Sequence, residues 1–506
     1  MYLKDENKIW IASGNDGADP IYLLPEMMNR HGLITGATGT GKTTTMKAIA
    51  EALSEMGTPT FLADIKGDVS GMCKPGKLKD KITERVEYLK IQDYTPTAYP
   101  VTFFDFFGQK GIPVRLAVST LGPILLARIL GLNDTQTGVL QIVFKIADDN
   151  DLLMIDFKDL RSMLQYVGDN AKTFTTQYGN ITTASVGAIQ RRLLTLESAG
   201  AESFFGEPEL DLNDWFTTDA QGRGAVNILD CVSLSQDPLL YSTFLLWMLS
   251  ELFETLPEVG NPKKPKMVFF FDEAHLLFKD APKALLQKIE QIVRLIRSKG
   301  VGVFFITQNP SDIPNAVLSQ LGNKIQHALR PFTPNDQKAI RAVAASLRTN
   351  PEFNSETAIS ELANGEALIS ALDEAGSPQM VKRGFIYPLR CGGGVADPEL
   401  VESITMNSPL YAKYAESFDR YSAYEALEEN KLKEEQQREQ EALEAQRQKE
   451  LLQQEKEAAK PKPKPSGSRS SSKATPFEKA LTSSLSQFGR TASRELARGL
   501  FGTRKK

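Results

Sequence analysis

Residues 36–43 read Gly36-Ala37-Thr38-Gly39-Thr40-Gly41-Lys42-Thr43, in full agreement with the pattern GxxxxGK[ST]. In this pattern a glycine-rich turn wraps its backbone around phosphate groups. An apolar segment at residues 31–35 predicts a buried strand before the turn, and residues 42–56 predict a helix after it. The N-terminus of such a helix offers free N–H groups and a positive dipole end to an anion.

The turn therefore predicts a site for ATP and Mg²⁺. Lys42 would reach the β- and γ-phosphates, and the Thr43 hydroxyl would be a ligand of Mg²⁺. The alternative is a chance loop rich in glycine and threonine. The residues expected to bind the nucleotide are Gly36, Ala37, Thr38, Gly39, Thr40, Gly41, Lys42, Thr43 and Thr44.

A second motif stands at residues 267–275, which read MVFFFDEAH. Together with a phosphate-binding turn, an apolar strand that ends in Asp-Glu indicates a Walker B motif. Asp272 would hold the Mg²⁺ shell through water, and Glu273 is placed to polarise the attacking water as general base. The alternative is a core strand that ends in an acidic turn.

A third signal follows the strand predicted at residues 301–307. In a parallel sheet its carboxyl end faces the same crevice, so Gln308 would sense the γ-phosphate or position water. The alternative for Gln308 is an ordinary polar loop residue. His275 and His327 are expected to be structural or supporting residues.

Phosphoryl transfer also needs a cation that neutralises the transition state. Arg294 and Arg297 are one turn apart on a helix predicted at residues 284–299, so they would share a face. Each arginine has the alternative of a surface ion pair. The candidates are Arg294, Arg297, Arg330 and Arg341.

Strand-like and helix-like segments alternate along the chain, which predicts an α/β fold with a parallel, doubly wound sheet. Residues 111–220 differ, because their apolar residues recur at helical spacing and indicate a mostly helical insertion. The predicted class is a P-loop NTPase of the RecA/ASCE type. Further strands are expected at residues 60–64, 101–104, 224–231, 266–272, 301–307, 324–329 and 367–370.

These patterns divide the chain into seven predicted segments. The leucines of the charged arm keep no heptad, so a solvated single helix is favoured over a strong coiled coil. The segments are a short N-terminal β segment (1–30), the first part of the ATPase core (31–110), the helical insertion (111–222), the second part of the core (223–423), the charged helical arm (424–460), a linker (461–476) and a basic amphipathic helix (477–506).

The composition excludes several classes of protein. The 506 residues are 41% hydrophobic and 24% charged, which excludes wholesale disorder. No apolar run reaches the ~18 residues of a membrane-spanning helix, and the first residues show no signal-peptide pattern. Cys73, Cys231 and Cys391 are too far apart for a CxxC metal site. We therefore expect a reduced, cytoplasmic protein.

The net charge of −4 conceals an asymmetry, because residues 461–506 carry +9, residues 424–460 carry −4 and the first 423 residues carry −9. The tail contains an apolar stripe at helical spacing, from Phe477 to Leu500, with basic residues on its far side. Three interpretations compete: docking to its own ring or to a partner groove, contact with an anionic inner-membrane surface, and binding of nucleic acid.

Together these residues resemble the HerA/FtsK division of ring-forming P-loop ATPases, and most closely the bacterial HerA-like helicases of the YjgR type. The resemblance runs from about residue 5 to residue 423. It implies the roles given above for the residues of the turn, the Walker B motif and Gln308. The segments that carry it include RHGLITG (30–36), DIKGD (64–68), LNDTQ (132–136), FDEAH (271–275) and RSKGVG (297–302).

The same resemblance implies a ring, as a homohexamer, with each ATP site between two subunits and Arg330 as a trans-acting finger. Such rings move nucleic acid through a central channel, so DNA is the expected partner. The chain departs from archaeal HerA enzymes, because only about 30 residues precede the phosphate-binding turn. A full N-terminal β-barrel, which docks a nuclease in those enzymes, is not expected.

Three functions remain open from the sequence. The first is an ATP-hydrolysing motor that acts on DNA. The second is a ring ATPase that moves or remodels protein, as the type IV secretion ATPases of this division do, and the acidic body is compatible with it. The third is a nucleotide-gated scaffold whose arm and tail recruit partners.

Overall fold

A computed structural model of the chain describes residues 1–198, 200–234, 238–279, 283–331 and 333–458. One large sheet organises it. The strands are β1 (Tyr2–Leu3), β2 (Lys8–Gly14), β3 (Asp19–Leu23), β4 (Gly32–Thr35), β5 (Thr60–Asp64), β6 (Val101–Asp105), β7 (Ile112–Pro113), β8 (Val226–Asp230), β9 (Met267–Phe271), β10 (Val301–Thr307), β11 (Asn323–Gln326), β12 (Glu366–Ser370) and β13 (Lys382–Ile386).

Helices cover both faces of this sheet. They are α1 (Lys42–Glu55), α2 (Asp80–Tyr88), α3 (Val118–Ile129), α4 (Asp134–Asp149), α5 (Phe157–Asp169), α6 (Ala171–Tyr178), α7 (Thr183–Ser198), α8 (Pro238–Thr255), α9 (His275–Phe278), α10 (Lys283–Leu295), α11 (Asn315–Leu318), α12 (Pro334–Ser346), α13 (Ser355–Glu361), α14 (Pro398–Met406), α15 (Pro409–Tyr414) and α16 (Ala423–Ala458). None of the helices in the described ranges is both long and apolar enough to span a bilayer.

The strands from β11 to β7 form a parallel half-sheet in the order β11-β4-β10-β9-β5-β8-β6-β7. The strand before the glycine-rich turn, β4, is separated from the acidic strand β9 by β10. This order places the carboxyl ends of β4, β10 and β9 side by side. The predicted α/β fold of the P-loop NTPase class is confirmed in this half.

The predicted parallel sheet does not extend to the other edge. Beyond β11 the sheet continues through β12, β13 and β2, and every one of these pairings is antiparallel, as are those of β1 and β3 with β2. Residues 371–381 are too short a connection for a helical crossover, so β13 must return antiparallel to β12. The N-terminal residues are therefore an edge of the main sheet.

The two faces of the sheet have different covers. In β9, Phe269 and Phe271 pack into the core shared with the helices of residues 118–198 and with α8, whereas Val268 and Phe270 pack into the core shared with α1. All four side chains are fully buried. A continuous apolar run is the expected sequence of such a central strand, because both of its faces lie in a core.

The C-terminal region is described as far as residue 458. Residues 432–458 lie outside the unit formed by residues 1–431 and are an exposed helical stretch, the C-terminal part of α16. The predicted linker and the predicted amphipathic helix at residues 477–506 lie outside the described residues.

Candidate active site

The turn between β4 and α1 is an open cradle of backbone N–H groups. Gly39 has a φ of 76°, and nothing lies within 4 Å of the point where a Cβ would stand. At Gly36 a Cβ would lie 2.5 Å from the His327 Cβ, so a larger residue does not fit. Free donors at a helix N-terminus suit an anion. The N–H groups that donate to no described residue belong to Thr38, Gly39, Gly41, Lys42, Thr43 and Thr44.

Lys42 lies folded across this cradle. Its buried Nζ donates to the carbonyl oxygens of Gly36, at 2.7 Å, and Ala37, at 3.0 Å. Burial lowers the pKa of Lys42, and the nearby Lys66 ammonium acts in the same direction. The half-buried Thr43 hydroxyl makes no hydrogen bond to a described residue. Both side chains are thus positioned at the turn with groups available to a ligand.

His327 supports the turn from beneath. Its Nε2 lies 2.8 Å from the Thr45 hydroxyl and its Nδ1 lies 2.9 Å from the Glu366 carbonyl oxygen. The Ala37 N–H donates to the Ala328 carbonyl at 2.8 Å. Burial lowers the pKa of His327 to about 4, so the ring is neutral at physiological pH. The geometry gives this histidine a structural role.

The acidic pair follows β9 directly. Asp272 accepts a hydrogen bond from the Glu273 N–H through Oδ1, at 2.9 Å. Its Oδ2 lies 3.3 Å from the Lys66 Nζ, and the Glu273 Oε1 lies 2.9 Å from the same atom. Glu273 has a φ of 46°, a left-handed conformation that is rare for a residue with a side chain. One ammonium therefore bridges both carboxylates.

The protonation of this pair follows from its surroundings. Burial raises the pKa of Asp272, and the Lys66 ammonium opposes the rise. Burial alone would also raise the pKa of Glu273. The contacts with Lys66 and Gln308 outweigh burial, so the pKa of Glu273 lies below its ordinary value. The pKa of Lys66 is raised, because the two carboxylates outweigh the effect of its burial. Glu273 is therefore ionised at neutral pH and can accept a proton.

Gln308 links the acidic pair to the turn. Its Nε2 donates to the Glu273 Oε1 at 3.3 Å, and its Oε1 accepts from the Thr38 hydroxyl at 3.3 Å. The other Glu273 oxygen, Oε2, is buried and accepts no hydrogen bond, although His275 Nδ1 lies 3.4 Å away. Gln308 and His275 also line a cavity of about 560 Å³. The arrangement leaves one oxygen of the ionised Glu273 without a hydrogen bond, and two neighbours of Glu273, Gln308 and His275, line a space that water can enter.

The candidate arginines lie elsewhere. Arg330 donates to the Ser360 and Leu362 carbonyls at the end of α13, and Arg341 makes an exposed ion pair with Glu356 at 3.0 Å. None of the described contacts joins Arg330 to the turn of its own chain.

The predicted helix at residues 284–299 is wrong at its end. The helix α10 stops at Leu295, and a 3₁₀ turn over Ile296–Lys299 follows. Arg294 therefore lies in α10 and Arg297 in the 3₁₀ turn that continues it. Both arginines are exposed.

Lys66 is the site residue that the sequence motifs did not single out. It lies two residues beyond β5, in a segment quoted above only for its resemblance to a family. The pairing of Ala63 with Phe271 places the end of β5 directly beside the acidic pair. A charged residue just past a strand end is a usable signal only when the order of the strands is known.

Three further aspartates end the strands next to β9. Asp64, Asp230 and Asp105 are paired in register at the carboxyl ends of β5, β8 and β6. Asp64 accepts from the N–H groups of residues 67, 68 and 69, and Asp105 from those of residues 107, 109 and 110. Asp230 accepts from the residue 232 N–H and pairs with Lys110 at 3.2 Å. These carboxylates hold the turns that follow their own strands.

Known proteins resemble this chain in sequence. The DNA double-strand break repair helicase HerA of Sulfolobus acidocaldarius is 22% identical over 352 residues, which are 68% of this chain and 62% of that protein. The protein of the same name from Sulfurisphaera tokodaii is 29% identical over 184 residues, 35% of each chain. The chain thus spans less than two thirds of the length of the curated relatives it matches.

Solved structures resemble it in fold. The plasmid coupling protein TrwB with the ATP analogue ADPNP has a TM-score of 0.51 at 15% identity, covering 77% of this chain and 92% of that one. The same protein with ADP and Mg²⁺ has a TM-score of 0.50 at 14% identity, covering 78% and 94%. A family model described as Helicase HerA-like C-terminal matches residues 11–506. Because that match covers nearly the whole chain, the protein belongs to the Helicase HerA-like C-terminal family.

Proposed function

We propose that the protein is an ATP-hydrolysing motor that works as a ring and acts on DNA. The observation that carries the hydrolytic part is the hydrogen-bonded series from Thr38 through Gln308 to Glu273, whose second carboxylate oxygen accepts no hydrogen bond. A site that only binds nucleotide has no use for such an oxygen. The relatives named as DNA repair helicases support the DNA part.

The turn would bind the phosphates of ATP. Its free N–H groups and the α1 dipole favour an anion, and the Lys42 ammonium is freed for the β- and γ-phosphates when it leaves the carbonyls of Gly36 and Ala37. This exchange replaces two neutral acceptors by charged ones, and charge-assisted hydrogen bonds are the stronger kind. Lys42 would thus hold the phosphates in the ground state and in the transition state.

The chemistry of the donor set also fits Mg²⁺. The Thr43 hydroxyl has no partner in the described chain, and Asp272 Oδ2 meets only the Lys66 ammonium. Oxygen ligands of this type are those that Mg²⁺ prefers. When bound, Mg²⁺ would neutralise charge on the phosphate oxygens. Thr43 and Asp272 are the residues that would hold it.

Glu273 would act as the general base. Its Oε2 accepts a proton from the attacking water, while Oε1 stays bonded to Gln308 and the side chain keeps its orientation. Gln308 also contacts Thr38 of the turn, so it couples the position of the base to the filling of the turn. Lys66 would shield the pair from mutual repulsion until the site fills.

The ring, a homohexamer in this proposal, would complete the site. Arg330 is largely exposed and lies two residues beyond Ala328, whose carbonyl contacts the turn. An exposed guanidinium that does not contact the turn of its own chain would be available to a neighbouring subunit, where it would neutralise the charge of the transition state.

The test is ATP turnover measured with and without DNA. We expect duplex or single-stranded DNA to raise the rate several-fold over the basal rate, and Lys42→Ala to abolish both rates. A basal rate that DNA leaves unchanged would contradict the DNA part of the proposal and favour a motor that acts on protein. A chain without turnover under any condition would contradict the hydrolytic part.

A further inference from the structure

A strongly basic cavity lies beside the nucleotide turn. It has a volume of about 490 Å³ and reaches Thr44, in the first turn of α1, and Gly365. No aspartate or glutamate lines it, although the first 423 residues carry a net charge of −9. The basic side chains in its wall are Lys74, Lys77, Lys79, Lys81 and Arg85.

These cations differ in how far they are neutralised. Lys74 pairs with the highly exposed Asp397 at 3.4 Å, a contact that contributes little in water. Lys77, Lys79 and Lys81 are exposed and pair with no carboxylate in the part of the chain that the structure describes. The wall therefore has three lysines without an ion pair along one short segment, in which Asp80 is the single acidic residue.

Arg85 is held in place at the inner end of the cavity. Its guanidinium lies 4.0 Å from the centre of the Phe385 ring and donates to the Gly365 carbonyl at 3.3 Å. Phe385 supplies no charge, so this contact positions the arginine without neutralising it.

Another part of the wall is the backbone of the loop at residues 392–394. The N–H groups of Gly393 and Gly394 donate to no described residue, and nothing lies within 4 Å of where their Cβ atoms would stand. The fully buried Lys47 of α1 fixes this loop, because its Nζ donates to the Gly392 carbonyl at 3.0 Å and to the Asp68 carbonyl at 3.3 Å. Free N–H groups in an open, anchored loop suit the close approach of a phosphate.

The positive charge of the cavity decides between a nucleotide and a nucleic-acid strand as its ligand. A nucleotide bound at the turn would place its phosphates against Lys42 and the cradle, and the ribose and base that extend past Thr44 are uncharged. They would leave the lysines of the cavity uncompensated. A nucleic-acid strand carries a phosphate at every nucleotide, so it can neutralise several lysines in succession. Among the lining residues only the buried Tyr387 is aromatic, which favours contacts to the backbone over stacking of bases.

We propose that this cavity binds the sugar-phosphate backbone of a nucleic-acid strand, with Lys77, Lys79 and Lys81 at its mouth and Arg85 at its inner end. The inference rests on the proposed function, because it names a surface on which a DNA motor would hold its substrate. Contact with Thr44 and Gly365 puts that surface next to the turn. Binding of nucleotide and binding of the strand would then both act on the glycine-rich turn.

The test compares two full-length triple variants with the wild type. Lys77→Ala/Lys79→Ala/Lys81→Ala removes the mouth of the cavity, and Lys4→Ala/Lys172→Ala/Lys263→Ala removes three other exposed lysines. Binding of a fluorescent oligonucleotide is measured at several salt concentrations, with thermal unfolding as the check on folding. We expect the first variant to bind about tenfold to a hundredfold more weakly, with a salt slope lower by about 2 to 3, and the second to match the wild type.

Affinity for a fluorescent ATP analogue, measured in parallel, separates the possible outcomes. It should be equal in all three proteins. Loss of analogue binding with intact oligonucleotide binding would show that the cavity takes the adenosine end of the nucleotide and would overturn the inference. Equal oligonucleotide binding by the cavity variant and the wild type would overturn it and leave the proposed function standing. If the wild type binds no oligonucleotide, that result would overturn the inference and contradict the DNA part of the proposed function.

Discussion

Two groups of acidic residues lie at the carboxyl edge of the same parallel sheet, and they differ in what their oxygens contact. Asp64, Asp105 and Asp230 direct theirs to the N–H groups of the turns that follow. Asp272 and Glu273 share one long side chain from a neighbouring strand, and one oxygen has no hydrogen bond at all. Within the first group, Asp64 and Asp105 are saturated by local backbone and Asp230 also pairs with Lys110, whereas the second group is open.

The difference lies in the turn after the strand. After β9 the chain enters a short helix at once, with Glu273 in a left-handed conformation, so only one N–H of the next residues reaches Asp272. After β5 and β6 the chain doubles back and presents three N–H groups to the aspartate. Three turn donors thus occupy each of Asp64 and Asp105, whereas Asp272 keeps oxygen capacity for other groups.

The largest effect that would sharpen this comparison is expected from Glu273→Gln. The change keeps the bonds of the side chain to its neighbours but removes the proton acceptor. Turnover should fall by about 10²- to 10⁴-fold, while the affinity for ATP changes little. Single-turnover hydrolysis and a nucleotide titration measure the two quantities. A variant that still hydrolyses ATP at the wild-type rate would show that another group is the base.

The matched substitution in the saturated group is Asp105→Asn. Asparagine offers one acceptor oxygen where aspartate offers two, so the N–H groups of the turn lose a charged partner. The free energy of unfolding should fall by about 2 kcal/mol, and turnover per folded molecule should stay the same. Urea unfolding and active-site titration measure this. Reduced turnover at unchanged stability would break the distinction between the groups.

The same comparison applies to a basic residue at a strand end. His327 follows β11, and both of its ring nitrogens have hydrogen-bond partners, as the oxygens of Asp64 and Asp105 do. Its pKa is about 4 in the folded protein, below the ordinary 6.5. Because the unfolded chain binds this proton at higher pH, stability is lost as the pH falls from about 6.5 towards 4. The loss between pH 7 and pH 5 should be about 2 kcal/mol. The His327→Gln variant should lack this loss of stability. The free energy of unfolding of both proteins at pH 7 and pH 5 measures the difference. An equal loss in both proteins would contradict the assignment.

The smallest effect is expected from Lys66→Met, which leaves the open pair without its cation. Asp272 and Glu273 should then bind a metal more readily, so the Mg²⁺ needed for half-maximal binding of an ADP analogue should fall about tenfold. Lys66→Arg is the control that keeps the charge. The measurement is made without turnover. An unchanged Mg²⁺ requirement would mean that Lys66 does not compete for these carboxylates.

Local patterns predicted part of the fold well. The boundaries of β5 and β10 agree with the predicted strands at residues 60–64 and 301–307, because a strand buried on both faces must be apolar throughout. The antiparallel edge was not predicted, since β12 and β13 acquire their direction from the short connection between them. The strand predicted at residues 324–329 ends at Gln326, where the chain turns to support the cradle.

The candidate site was predictable to a similar degree. The turn and the acidic pair have fixed spacings within single segments, so their residues can be named from sequence. Lys66 and His327 reach the site from other strands, and their contacts depend on which strands are neighbours. Arg330 stays a prediction, because its proposed role belongs to a second copy of the chain.

The Lys66 bridge has a consequence for the end of each cycle. After the proposed hydrolysis the products would have to leave, and a departing cation would leave two largely buried carboxylates without a counter-charge. Here the ammonium of Lys66 supplies a replacement charge, 2.9 Å from Glu273 and 3.3 Å from Asp272. In the proposed cycle, release of the products would thus leave the charges of the pair matched. Resetting the proposed motor would then require only the return of the Lys66 side chain, and no ion would have to arrive from solution.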